Sequence, residues 1–116
     1  MCAVGKAPTV LDGHELKSIH VVAPDVVQLQ CRINLGNPTA QVRWYRNKRC
    51  CMIFSDITDD IRYVIRTDGD TQSLIIPKSD TSDSATYRCE AVNKFGKVRT
   101  VFRVAVLRKF QVSPAL

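Results

Sequence analysis

The sequence contains few of the features that mark several large classes of protein. Its 116 residues include only five glycines and five prolines, scattered along the chain, so it is neither collagen-like nor low in complexity. No apolar run approaches the roughly 18 residues that a membrane-spanning helix needs. We therefore expect a single globular domain that does not insert into a membrane.

Motifs for catalysis and metal binding are also scarce. The two histidines, His14 and His20, are not near a cysteine in sequence, and no glycine-rich phosphate loop or serine-centred elbow occurs. The adjacent Cys50 and Cys51 lack the spacing of a structural zinc site. We expect no catalytic residues, no cofactor and no metal.

The charge is unbalanced toward basic residues. Lysine and arginine total 17 against 11 aspartates and glutamates, which gives a formal net charge of +6. Such a charge favours acidic partners, and nucleic acid is one class of them. The sequence has no nucleic-acid motif and no row of aromatics for base stacking, so we expect protein partners and no nucleic acid.

Short segments in which apolar and polar residues alternate run along most of the chain. One such segment spans residues 26–33, others span 41–46, 60–66, 72–77 and 85–92, and the last spans 97–107. Turn residues separate them, among them the Asp68-Gly69-Asp70 hairpin signal. No segment has a sustained helical period, apart from a short turn at 78–83. The pattern predicts an all-β sandwich.

Four residues at fixed spacing define the predicted core. Cys31 and Cys89 are 58 residues apart, the only tryptophan, Trp44, lies between them, and Tyr87 precedes the second cysteine by two residues. In each case the alternation places the residue on the apolar face of its segment. We therefore expect the two cysteines to face each other across two sheets, with the indole between them.

The most specific motif is DxAxYxCxAxNxxG, which runs from Asp83 to Gly96. With the Cys–Trp–Cys spacing, it resembles the I-set branch of the immunoglobulin superfamily. The resemblance implies an immunoglobulin-like Greek-key β-sandwich in which the Tyr87 hydroxyl returns to the backbone a few residues upstream, at a tyrosine corner. It covers roughly residues 8–107, so we predict an N-terminal arm over 1–7 and a C-terminal linker over 108–116.

Domains of this family occur in two settings, and the fold does not distinguish them. Some belong to extracellular adhesion molecules and receptors. Others are cytosolic links of giant muscle proteins similar to titin, twitchin and obscurin. In both settings the resemblance implies a non-catalytic module that binds or spaces other proteins, including neighbouring immunoglobulin or fibronectin-type domains.

The cysteine count favours the cytosolic setting. If Cys31 and Cys89 formed a bridge, Cys2, Cys50 and Cys51 would remain as three spare thiols, which an oxidising compartment would scramble. Adjacent cysteines rarely bond each other. We predict that Cys31 and Cys89 are reduced, buried thiols in a sarcomeric or cytoskeletal protein, with an extracellular domain as the alternative.

The same alternation predicts a basic outer face. If Trp44 and Cys89 point inward, the strands that carry them, with the last strand, expose six residues that we call the arginine face: Arg43, Tyr45, Arg88, Arg99, Val101 and Arg103. Arginines with aromatic and aliphatic neighbours are typical of a protein-binding patch. The alternative is an ordinary solvated face on which arginine stems cover the sheet.

Overall fold

The computed structural model describes residues 4–12, 16–47 and 53–108. His14, Cys2, Cys50, Cys51 and the predicted linker beyond residue 108 lie outside the described residues. Within the described ranges the chain forms nine strands and one 3₁₀ turn, at Thr81–Asp83. The strands are β1 (Thr9–Val10), β2 (Leu16–Val22), β3 (Val27–Asn34), β4 (Gln41–Asn47), β5 (Phe54–Asp56), β6 (Val64–Asp68), β7 (Thr71–Ile76), β8 (Ala85–Asn93) and β9 (Gly96–Leu107).

The strands form two sheets, which confirms the predicted all-β sandwich. The four-stranded sheet has the order β1-β3-β7-β6, and the five-stranded sheet has the order β2-β9-β8-β4-β5. Neighbouring strands are antiparallel except for β2 and β9, which run parallel from the Leu16–Val101 pair to the Val22–Leu107 pair. One predicted strand was too long, because residues 61–63 form a turn and β6 begins only at Val64.

The core lies between the sheets and contains the residues that the alternation placed there. Cys31, Trp44, Tyr87 and Cys89 each have 0% of their surface exposed. Trp44 pairs with Cys89 across β4 and β8, and its ring stacks on Phe102 with 5.8 Å between centroids. Apolar burial of this kind is the main force that holds the two sheets together.

Tight turns fix the register of two hairpins, β6–β7 and β8–β9. In the β6–β7 hairpin Asp68 pairs with Thr71, so Gly69 and Asp70 form a two-residue turn, and Gly69 adopts a φ of +58°. A side chain at that φ is strained, which explains the glycine. The turn between β8 and β9 is as short, since Asn93 pairs with Gly96.

The predicted tyrosine corner is present in the structure. The Tyr87 hydroxyl donates a hydrogen bond of 2.7 Å to the Asp83 carbonyl, in the 3₁₀ turn that leads into β8. Asp80 caps this turn, because its carboxylate accepts from the Ser82 N–H while the Asp83 carboxylate accepts from the Asp80 N–H. The corner therefore connects the turn to the strand that carries Cys89.

The first part of the chain passes from one sheet to the other. β1 pairs with β3 in the four-stranded sheet, whereas β2 pairs with β9 in the five-stranded sheet. At the crossing the Lys17 ammonium donates 2.6 Å to the Asp12 carboxylate and 2.9 Å to the Gln30 carbonyl. Lys17 thus points inward from an edge strand, where an inward charge also opposes pairing with other chains.

Candidate protein-binding face

Strand register brings the six predicted residues of the arginine face together. Tyr45 lies opposite Arg88, and Arg88 lies opposite Val101, so these three form one row across β4, β8 and β9. Arg43 and Arg99 occupy the next row, on either side of Glu90. Because alternate residues of these strands are buried in the core, both rows point away from it.

Arg88 is the most constrained residue of this face. Its guanidinium lies 4.7 Å from the Tyr45 ring centroid and 4.4 Å from that of Phe54, so it is held between two aromatic side chains. Its Nε is also 3.5 Å from the Glu90 carboxylate, and only 20% of its side chain is exposed. Two cation–π contacts and a nearby charge hold the guanidinium in one position.

Arg43 is paired as well. Its Nη1 donates 3.1 Å to the carboxylate of Asp56 on the neighbouring strand β5. Burial alone raises the pKa of Asp56, but hydrogen bonds from Thr58 and the Arg43 charge outweigh it and hold that pKa below its usual value. Both side chains are 39% exposed, so the pair contributes little to stability.

Arg99 and Arg103 differ from the other two arginines. Both are exposed on β9, and neither forms a salt bridge or a side-chain hydrogen bond with another described residue. Between them lies the half-buried Val101, which pairs with the exposed Leu16 of β2. Two unpaired cations thus flank a small apolar area.

A shallow depression of about 370 Å³ adjoins Arg103 on the same face. The depression forms because small side chains at this end of β8 and β9 leave space above the sheet. Its lining includes Ser18, His20, Asn47, Thr86, Arg103 and Ala105.

Sequence reasoning missed three contributors to this face. Phe54 and Asp56 lie on β5, whose three residues are too few for an alternating pattern to be recognised. Leu16 was also missed, because only its register with Val101 places it beside the arginines. The predicted segment 41–46 was also one residue too short, because β4 continues to Asn47. Arg46 and Asn47 belong to β4, and the Arg46 guanidinium donates to the Tyr63 hydroxyl.

The described residues offer little for catalysis or metal binding. They include no group of three side chains suited to holding a metal ion. Hydrogen bonding with the Cys31 thiol and burial raise the pKa of the Cys89 thiol well above its ordinary value, which opposes formation of a nucleophilic thiolate. His20 lies apart from this pair, on the exposed face of β2.

Across the described residues no helix is long and apolar enough to cross a bilayer.

Comparison with known families agrees with the two-sheet topology and its core. The model of the immunoglobulin I-set domain matches residues 13–106, which is most of the chain. The chain belongs to the immunoglobulin I-set family. The resemblance predicted from the motif around Tyr87 and Cys89 is therefore confirmed.

The relatives of this I-set domain come from both settings of the family. The muscle M-line assembly protein unc-89 of Caenorhabditis elegans is 36% identical over 77 residues, which cover 66% of this chain and 1% of that protein. The human cell adhesion molecule DSCAML1 is 32% identical over 106 residues, covering 91% of this chain and 4% of that protein. The I-set domain thus spans only a small part of each of these relatives.

Solved structures include a close match to the fold. The titin domains z1z2, determined in complex with telethonin, are 28% identical and superpose with a TM-score of 0.79. The match covers 93% of this chain and 50% of that one. The family model and the solved structure together establish the fold and the family of this chain. Its relatives include both muscle and adhesion proteins.

Proposed function

We propose that this I-set domain is a non-catalytic protein-binding and spacing module, one link of a large sarcomeric or cytoskeletal protein, and that the arginine face docks its partner. One observation carries the docking proposal: Arg99 and Arg103 are exposed beside Val101 and have no charged partner among the described residues, whereas Arg43 and Arg88 are held by neighbours. Arginines next to apolar and aromatic side chains are common at the centres of protein interfaces.

The path of the chain supports a spacing role. Near its start, Lys6 pairs with Asn37, and the Asn93 side chain donates 2.7 Å to the Lys6 carbonyl, close to the beginning of β9. The chain leaves at the other end of β9, at Leu107. Twelve strand residues span roughly 36 Å, so entry and exit lie at opposite poles, as a bead in a string requires. Within the predicted arm, the backbone of Lys6 pairs with Asn37, and the Val4 carbonyl accepts 3.3 Å from the Asn37 side chain.

The cysteines and the muscle relatives support the cytoskeletal setting. Cys31 and Cys89 are unbonded, buried thiols in the structure, and the sequence adds three further cysteines. A core with Trp44, Phe102 and their neighbours fully buried is large enough to fold without a bridge. The titin z1z2 domains have a protein partner in their solved complex, which supports a protein partner for this chain as well.

An extracellular adhesion or receptor domain is the second candidate, because the match to DSCAML1 covers more of the chain than the match to unc-89. A count of free thiols in protein prepared anaerobically, without reductant, separates the two settings. The cytoskeletal proposal expects all five cysteines to react in denaturant. Three or fewer would indicate a Cys31–Cys89 bridge and favour the extracellular candidate.

Docking by the arginine face can be tested in cultured muscle cells. A fluorescently tagged wild-type domain should concentrate on the striations, and the double variant R99E/R103E should become diffuse. The matched control is R32E/R66E, because Arg32 and Arg66 are exposed on the opposite sheet. If R99E/R103E stays on the striations, the face does not dock the partner. If the wild type never concentrates there, the muscle assignment is wrong.

A further inference from the structure

Arg99 and Arg103, which no other described side chain pairs with, stand at a spacing that a partner can match. On β9 the outward residues are Arg99, Val101 and Arg103, at every second position. A strand rises about 3.3 Å per residue, so the α-carbons of the two arginines are about 13 Å apart. The apolar area formed by Val101 and Leu16 lies midway between them.

An extended peptide has the same period of two as the strand beneath it. If such a peptide lies along β9, its first, third and fifth side chains all point at the sheet. They would then meet Arg99, Val101 and Arg103 in turn, or the reverse order if the peptide runs the other way. Charge complementarity requires acidic side chains at the two outer positions and an apolar side chain at the middle one.

We propose that the arginine face selects an extended partner segment with the pattern acidic, any, apolar, any, acidic, laid along β9. This inference rests on the proposed docking function and adds the class of ligand to it. The depression beside Arg103 lies further along β9 in the same direction, above Ala105. A segment longer than five residues can therefore continue past Arg103 over the small side chain of Ala105.

The charges of this face disfavour two other occupants. A second copy that docked by the same face would place arginine opposite arginine. A single-stranded nucleic acid would need a longer row of free cations, with aromatics on which its bases stack. Arg43 and Arg88 are engaged by Asp56 and by the aromatic pair, and Lys97 lies 4.0 Å from Glu90.

The test uses two labelled ten-residue peptides of identical composition as probes. One has glutamates at the first and fifth positions of its central segment and leucine at the third. The other has the two glutamates adjacent. Binding to the intact 116-residue chain is followed by amide chemical shifts, which detect weak complexes. The spaced peptide should bind at least about tenfold more tightly than the adjacent one, and R99Q/R103Q should weaken it by at least about tenfold.

Two further variants separate the contribution of the arginine charges to peptide binding from that of the apolar contact at Leu16. R32Q/R66Q, on the opposite sheet, should bind the spaced peptide like the wild type. Leu16→Ser should weaken the spaced peptide without changing the charge, since Leu16 is 51% exposed and can be truncated with little effect on folding. Thermal unfolding of every variant checks that the fold is intact.

The remaining outcomes each overturn a distinct statement. Equal binding of both peptides, lost in R99Q/R103Q, would overturn the spaced pattern and leave docking by this face in place. Binding that survives R99Q/R103Q would overturn both proposals. No binding of either peptide would overturn the ligand class, while the localisation experiment in muscle cells still decides docking. Tighter arginine-dependent binding of a single-stranded oligonucleotide would replace the peptide by a single-stranded nucleic acid as the ligand.

Discussion

Replacing Tyr87 by phenylalanine removes one hydroxyl and leaves the rest of the core in place. The Tyr87 side chain is fully buried, and its hydroxyl donates 2.7 Å to the Asp83 carbonyl. Burial raises the pKa of Tyr87 above its ordinary value, so the hydroxyl is a neutral donor at neutral pH. The ring, which meets Tyr63 edge-on, remains in Tyr87→Phe.

The expected loss of stability follows from that single hydrogen bond. A typical intramolecular hydrogen bond contributes about 1 kcal/mol net, and an acceptor left unpaired in a buried site adds a further penalty. Because Asp83 is only half-buried, its carbonyl can regain water, which limits that penalty. We expect Tyr87→Phe to lower the free energy of unfolding by about 1–2 kcal/mol, with Tm falling about 4–8 °C for each kcal/mol.

Urea unfolding followed by fluorescence measures this loss directly, because Trp44 is the only tryptophan and is fully buried. Tyr45→Phe is the matched control. It deletes the same hydroxyl on the outer face, where no hydrogen bond to another described residue is found, and should change stability by less than about 0.5 kcal/mol. If Tyr87→Phe is no more destabilising than this control, the corner does not stabilise the fold and the argument from Asp83 is refuted.

Three other predictions concern a turn, a half-buried ion pair and the thiols. Gly69→Ala should lower the free energy of unfolding, measured in urea, by about 1–2 kcal/mol, because φ at this position is +58°. Gly69→Asn should lower it by less, and equal losses from the two variants would contradict a strained turn. Burial raises the pKa of Asp12, but hydrogen bonds from Lys17 and a backbone amide outweigh it and hold the pKa below 3.8. The stability that Asp12 contributes is therefore present above that pH and lost as the pH falls below it. The urea midpoint of Asp12→Asn should then fall less steeply than that of the wild type between about pH 5 and pH 2. Cys31 and Cys89 should resist a thiol reagent in the native domain and react on unfolding, and rapid labelling of the folded protein at either position would contradict their burial.

The sequence predicts the core well because strand periodicity is a strong signal. Once Trp44 is assigned to the inside, the period of two places Arg43 outside. On the last strand the set that contains Phe102 was assigned to the inside, which places Arg99 and Arg103 outside, and the structure has all three arginines there. Strand existence and the two short turns follow from the same local pattern. These features depend on near neighbours in the chain.

Contacts between distant strands could not be obtained in this way. The Arg88 contact with Phe54 depends on the pairing of β5 with β4, and the contact between Lys17 and Asp12 depends on where the chain changes sheets. The hydrogen bond from Arg46 to the Tyr63 hydroxyl likewise joins residues that lie 17 positions apart in the chain. The sequence therefore predicts which residues share a face, and the structure adds which of those charges remain unpaired.

The proposal that the arginine face docks a protein is tested most directly by cross-linking in living muscle cells. A photoreactive benzoylphenylalanine replaces the exposed Leu16 at the edge of this face, and a second variant carries it at the exposed Gln28 on the opposite sheet. We predict that irradiation joins the Leu16 variant to one defined partner, that R99E/R103E abolishes the product, and that the Gln28 variant forms none. Equal products from both positions, or none from Leu16, would contradict docking by this face.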